Sequence, residues 1–296
     1  MNENCYLNIV PDEIKKYIIS LTENKIFDLC LVNKYFDNNC KIIKIVNNFK
    51  YPRLTNNNLK ELINLTSLDL RDNYILPNHD RITNEGIKEL INLTYLNLGR
   101  NNIITDEGIK DLINLTYLNL RRNNIITDEG LKELINLTSL YLPGNMIITD
   151  KGIRKLINLT SLNLCSNNKI TAIGIKGLTN LTSLDLMYNK KIMDEGIQKL
   201  INLTSLVLYK NEKITDESIK ELTNLTSLDL YSNEIITNKS IKGLTNLTSL
   251  NLSFNNKITN KGVKKLINLT YLNLSHSNKI TDEGIKGLPN LKKVFR

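Results

Sequence analysis

The chain has no tryptophan, two histidines, five prolines and four cysteines among its 296 residues. His79 and His276 stand far apart and form neither an H-x-x-H nor an H-E-x-x-H arrangement, so no metal centre is expected. A P-loop and a G-x-G-x-x-G turn are also missing. Cys165 has no His in its own or adjoining repeats, which leaves a nucleophilic Cys–His pair without a base. The sequence therefore offers no catalytic residue, no metal site and no cofactor site, and a non-enzymatic protein is expected. Cys5, Cys30, Cys40 and Cys165 lack C-x-x-C spacing and the dense framework of a small secreted domain, which fits reduced thiols. No run approaches the roughly 18 consecutive apolar residues that would cross a bilayer, and the start, MNENCYLNIVPDE, does not read as a leader. A soluble protein of the cytoplasm or nucleus, without a membrane partner, is the expectation.

What is present is repetition. The phrase LTYLNL at Leu93 returns at Leu115, Leu137, Leu159, Leu181, Leu203, Leu225, Leu247 and Leu269, always 22 residues on. An earlier copy starts at Leu65, and a truncated one, LKKVF, at Leu291. Alternation of period 2, with Leu118 and Leu120 inward and Tyr117, Asn119 and Arg121 outward, predicts a short strand buried on one side. An Asn column then follows through Asn73, Asn101, Asn123, Asn145, Asn167, Asn189, Asn211, Asn233 and Asn255, with Ser277 breaking it. A buried amide without partners costs a few kcal/mol, so such a column implies a hydrogen-bonded ladder. The second half of the unit, Thr127-Asp128-Glu129-Gly130-Leu131-Lys132-Glu133-Leu134-Ile135, supplies a helix N-cap, acids in the first turn and an apolar stripe at Leu131, Leu134 and Ile135. A lone unit this small cannot bury enough surface to fold, whereas stacked units share their cores.

The pattern L-x-x-L-x-L-x-x-N followed by I-T-D-E-G-I-K-x-L-I-N resembles the leucine-rich repeat. The resemblance implies an α/β fold, a right-handed horseshoe solenoid with a parallel sheet on the concave face and short helices on the convex face, over residues 65–296. The Thr-Asp-Glu-Gly-Ile-Lys phrase is also similar to the cysteine-containing class of these repeats, which commonly follows an F-box, although the units here are shorter and carry Asn in place of Cys.

Residues 1–42 contain no repeat. Their apolar positions, from Ile14 through Ile18, Ile19 and Leu21 to Phe36, suggest short amphipathic helices. Val10-Pro11-Asp12-Glu13-Ile14 and Leu29-Cys30-Leu31-Val32-Asn33-Lys34-Tyr35-Phe36 are together similar to the F-box, with Val10 in place of its Leu and Phe36 in place of its Trp. That resemblance implies docking on a Skp-type adaptor through Val10, Pro11, Ile14, Leu31, Val32 and Phe36. Combined with the repeats, it implies the substrate-recognition subunit of an SCF-type, cullin-based ubiquitin ligase. The alternative is a non-catalytic interaction scaffold whose N-terminal helices only cap the solenoid. Residues 43–64 read as an atypical capping repeat, because Thr55 to Leu62 copies a helical half. Richness in Asn, Ile and Lys resembles products of AT-rich genomes, including those of large DNA viruses, for which the compartment would be that of the host cell.

Outward strand positions are free to encode a partner, and two groups stand out. Arg71, Tyr95, Arg100, Tyr117, Arg121 and Arg122 form a basic and aromatic area on the first coils. Met187, Tyr188, Tyr209, Tyr231 and Phe254 occupy neighbouring positions further along. Both are candidates for target binding on the concave face, since Tyr and Arg dominate protein interfaces, although aromatic side chains also simply cover strand surfaces. Extra residues between Asn73 and Thr83 form a loop that either makes contacts or is inert. The net charge of +9 does not by itself predict nucleic-acid binding. The Lys column from Lys88 to Lys286 lies on the predicted helices, often three residues after an acid, and reads as a solvated face. The repeated Asn-Leu-Thr triplets match the glycosylation rule but read as the helix-to-strand corner.

Overall fold

The computed structural model describes residues 44–46, 55–60, 62–71 and 81–296. The expected adaptor-binding residues Val10, Pro11, Ile14, Leu31, Val32 and Phe36 lie outside the described residues, as do Asn73 and most of the extra loop after it.

The chain divides into two units between Leu137 and Thr138. In the first, strands β1 (Lys44–Val46), β2 (Ser67–Asp69), β3 (Tyr95–Asn97) and β4 (Tyr117–Asn119) pair in parallel and in sequence order. The second contains β5 (Ser139–Tyr141), β6 (Ser161–Asn163), β7 (Ser183–Asp185), β8 (Ser205–Val207), β9 (Ser227–Asp229), β10 (Ser249–Asn251), β11 (Tyr271–Asn273) and β12 (Lys293–Phe295), again parallel and in order. Register follows the repeat, so Ser183 lies beside Ser205 and Ser205 beside Ser227. Parallel pairing is forced because each strand end must be carried back to the start of the next coil, here by a turn and a single-turn helix such as Asp106–Ile109 or Asp194–Ile197. Each unit is the expected α/β solenoid, with strands on one side of the core and helices on the other.

The core is as regular as the sequence. Leu93, Leu96, Leu98, Ile104, Ile109 and Leu112 are completely buried in one coil of the first unit, and Leu203, Leu208, Ile214, Ile219 and Leu222 are so in one coil of the second. The predicted stripe through Ile135 is corrected: Leu131 and Leu134 are buried, but Ile135 is 53% exposed. The helix there ends at Leu131 after one turn, so the chain has left helical spacing before it reaches Ile135. Its equivalents Ile63, Ile91, Ile113, Ile157, Ile201 and Ile267 are exposed for the same reason. At the adjoining corner the Asn of an Asn-Leu-Thr triplet donates from Nδ2 to the preceding coil, as Asn114 does to the Ile91 carbonyl at 2.9 Å and Asn224 to the Ile201 carbonyl at 2.9 Å.

The Asn ladder holds the coils in step. Asn211 donates to the carbonyls of Asn189 at 3.1 Å and Leu186 at 3.3 Å, and its Oδ1 accepts the N–H groups of Lys213 and Ile214 at 2.9 and 3.0 Å. The amide is buried with all of its capacity used. Ser277 substitutes with one bond, from its Oγ to the Asn255 carbonyl at 2.8 Å. The residue before each of these positions takes a left-handed backbone, from Arg100 (φ 54°) through Gly144 (φ 62°) to His276 (φ 57°).

A second ladder runs along the helix side. The first helical residue of one coil holds the N-cap Thr of the next: Asp106 Oδ1 accepts the Thr127 N–H at 2.8 Å, and Oδ2 accepts its hydroxyl at 2.6 Å. Thr127 Oγ1 in turn accepts the Glu129 N–H at 3.2 Å, capping its own helix. The same link joins Asp150 to Thr171, Asp194 to Thr215 and Asp216 to Thr237. Close approach of these carboxylates explains a glycine in the next coil, three residues after its N-cap Thr. At Gly174 an added Cβ would meet Asp150 Oδ1 at 2.5 Å. Where Ser218 stands instead, its hydroxyl joins the ladder by donating to Asp194 Oδ1 at 2.6 Å. One step is missing, because Ala172 stands at the acceptor position and Met193 at the N-cap, which has no side-chain cap bond.

Candidate functional site

Two columns of side chains rise from the end of each strand, one at the outward position held by Met187, Tyr209 and Tyr231, the other at the left-handed position held by Tyr188, Phe254 and His276. In the second unit their rings run together. Tyr188 and Tyr209 have centroids 5.0 Å apart, Tyr209 and Tyr231 4.4 Å, Tyr231 and Phe254 5.2 Å, and Phe254 and His276 4.3 Å. The result is one unbroken stripe of five rings across five coils. Tyr188 and Phe254 remain 37% and 41% exposed, so the rings cover each other without being covered.

Four of these residues were expected from their positions, together with Met187, which lies half-buried beside the stripe. His276 was missed. Its column offset matches that of Phe254, so the signal is in the sequence, but a lone histidine reads first as a metal ligand or base and not as a flat ring.

The stripe has polar edges. The Tyr188 and Tyr209 hydroxyls share a hydrogen bond at 3.2 Å, and this bond pushes the Tyr209 phenol up to about 12. Lys210 holds its ammonium 5.7 Å from the centroids of both rings, within cation–π range. On the strand side, Asp185 accepts the Met187 N–H at 2.9 Å and the Asn163 amide at 2.8 Å. Burial pushes its carboxyl above the ordinary value, against the lowering effect of those two bonds, and the charge of Asp229 adds to the rise. Asp229 likewise accepts the Tyr231 N–H at 2.9 Å and the Asn251 amide at 3.2 Å.

The candidate group in the first unit is smaller. Tyr95 and Tyr117 stack with centroids 4.3 Å apart and planes 11° from parallel. Arg100, Arg121 and Arg122 are exposed nearby in sequence, with Arg100 and Arg122 on left-handed backbone. Arg71 is tied back: its guanidinium forms a 2.7 Å ion pair with the buried carboxylate of Asp69, so part of its charge is spent inside the protein. The structure thus brings the tyrosines together and ties Arg71 to Asp69.

On the helix side, Lys88, Lys110 and Lys220 pair with the acid three residues earlier at 2.9, 2.6 and 2.6 Å, and that hydrogen bond raises each ammonium above its ordinary value. The pairing is incomplete along the column, since Lys239 precedes Lys242 and Lys261 precedes Lys264. Among the described residues no group of three His, Cys, Asp or Glu could hold a metal, and no helix is long and apolar enough to cross a membrane.

No curated protein matches the sequence significantly. Among solved structures, an internalin (InlF) from Listeria monocytogenes is similar, with 25% identity over 80% of this chain and 82% of that one and a TM-score of 0.50. A chain of the yeast Rad7–Elc1 complex aligns over 99% of this chain and 91% of its own, with 19% identity and a TM-score of 0.54, which shows a shared fold. The family described as Leucine Rich repeat matches residues 89–113, 111–135, 155–178, 177–201, 221–244, 243–267 and 266–288. These segments cover more than half of the sequence and coincide with the coils described above; the chain belongs to the leucine-rich repeat family, whose repeats typically serve as non-catalytic protein-interaction scaffolds.

Proposed function

We propose that this protein is a substrate-recognition adaptor of an SCF-type ubiquitin ligase, its repeats binding a target protein and residues 1–42 docking a Skp-type adaptor. The observation that carries target binding is the five-ring stripe from Tyr188 to His276, an exposed aromatic surface larger than the core requires. Met187 borders it, and the Tyr95–Tyr117 stack with Arg100, Arg121 and Arg122 is a second contact area. The adaptor half rests on the Val10-Pro11-Asp12-Glu13-Ile14 and Leu31-Val32-Asn33-Lys34-Tyr35-Phe36 phrases, which precede the repeats in F-box order.

Co-expression of the full chain with a Skp-type adaptor tests this half. A stable complex that is lost in a Pro11→Ala/Leu31→Asp/Phe36→Ala variant is the expected result. An intact protein that never co-purifies with the adaptor leaves only an interaction scaffold. For the target half, affinity capture by the wild type is compared with that by Tyr188→Ala/Tyr209→Ala/Tyr231→Ala. Loss of specific partners is expected, and an unchanged set of partners would show the stripe to be idle.

A further inference from the structure

The stripe has a neighbour that the target-binding reading leaves unused. Val207 lies in register between Asp185 on one side and Asp229 on the other. In most coils of the second unit this position is Asn or Asp, whose side-chain oxygen accepts the N–H two residues on, as Asn163, Asn251 and Asn273 do. Val207 cannot, and it leaves an apolar position between two carboxylates, two residues before Tyr209.

Each carboxylate is satisfied only by neutral donors, a backbone N–H and an Asn amide, and neither forms an ion pair with a cation of the described residues. Lys210 is in the next coil after Asp185, yet its ammonium lies over the rings of Tyr188 and Tyr209. The two acids therefore face outward half-buried, mutually repelling and uncompensated, next to an exposed aromatic surface.

We propose that the stripe binds a segment of a target protein that carries a basic side chain, Arg or Lys, whose charged head sits above Val207 between Asp185 and Asp229 while its aliphatic stem lies along Tyr209. The proposal rests on the target-binding reading and specifies the chemistry of the target. Charge complementarity selects this occupant. An anionic partner would add to the repulsion already present between the acids. A bare divalent ion needs carboxylate oxygens turned toward one point, whereas Asp185 and Asp229 give their Oδ2 atoms to Asn163 and Asn251, on the strands away from Val207. A guanidinium or ammonium on a long stem can interact with both from about 5 Å in register on each side. Its aliphatic stem also gains apolar contact with the Tyr209 ring.

The test selects binders from a phage-displayed library of random dodecapeptides on the immobilised full chain. The selected peptides are then measured against wild type, Asp185→Asn/Asp229→Asn, Val207→Lys and Tyr209→Ala/Tyr231→Ala. Asn already occupies the carboxylate position in neighbouring coils, so the double Asn variant keeps both turn-closing acceptors, and unchanged thermal melting verifies its fold. Enrichment of Arg or Lys, with affinity lowered about tenfold or more in the Asn variant and abolished in Val207→Lys, is expected. Peptides that lack basic enrichment, or that bind the Asn variant as tightly as wild type, overturn the proposal while leaving the stripe as a target site if Tyr209→Ala/Tyr231→Ala still abolishes binding. Peptides indifferent to the tyrosine variant overturn both readings. An empty selection, or preference of the stripe for an oligosaccharide or a single-stranded oligonucleotide in parallel assays, also overturns it.

Discussion

Asn211 reaches back one coil to donate to the carbonyl of Asn189, 3.1 Å away, while Asn189 closes its own coil by accepting the N–H groups of Lys191 and Ile192 at 3.0 and 2.9 Å. Each amide thus binds a turn within its coil and a seam between coils. Neither function can be removed without exposing buried backbone groups to an apolar interior.

Replacing Asn211 with Ala should lower stability by about 2–4 kcal/mol, because two carbonyls and two N–H groups lose their partner in a buried place. Asn211→Ser should fall between the two, since Ser277 already shows that a hydroxyl can keep one inter-coil bond. Urea unfolding followed by circular dichroism measures both. Equal midpoints for all three proteins would show that the ladder contributes nothing to stability.

The missing step between Ala172 and Met193 predicts a strong coupling. Ala172→Asp alone should be neutral or destabilising, because the new carboxylate finds no hydroxyl, and Met193→Thr alone gains only a cap. Together they rebuild the link seen between Asp194 and Thr215, and Gly196 leaves the space that the carboxylate needs. A double-mutant cycle should return a favourable interaction of about 1 kcal/mol. Additive effects would mean that the carboxylate and the hydroxyl do not meet.

Tyr209 provides a pH signature. Its hydrogen bond with Tyr188 favours the neutral phenol and raises its titration from 10.0 to about 12. Because the folded value is the higher one, the stabilising contribution is complete below pH 10 and disappears as the pH rises through about 12. Tyrosinate absorbance near 295 nm should therefore show one late-titrating group that moves down in Tyr188→Phe. Superimposable titration curves for wild type and Tyr188→Phe would remove the hydroxyl pair from the account.

Much of this architecture was legible in the residues, because one unit repeated almost unchanged averages out local ambiguity. Leu96, Leu118 and Leu140 cannot all be inward by accident of spacing, and an Asn every 22 residues needs a common partner. The Asp106–Thr127 link was not legible as such. Thr and Asp at a helix start satisfy the capping rule within one coil, and nothing in the local pattern says that the Asp points to the next Thr rather than to its own helix. Ile135 was assigned to the core because helical spacing was extended past the point where the helix stops. Of the stripe, Tyr188, Tyr209, Tyr231 and Phe254 can be found from their columns, but their continuity depends on rings of two columns meeting in space, and His276 joins it only through its stacking on Phe254.

The left-handed backbone before each buried Asn, and before Ser277, limits what this surface can become. Its occupants in the described coils are Arg100, Arg122, Gly144, Ser166, Tyr188, Lys210, Ser232, Phe254 and His276, and none is Val, Ile, Thr or Pro. A side chain branched at Cβ clashes with its own carbonyl in that conformation, and even an unbranched one costs about 1–2 kcal/mol. Recognition can diversify here only within an alphabet of unbranched residues, so a new binding preference in this column will arise by exchanging one ring or one long cation for another.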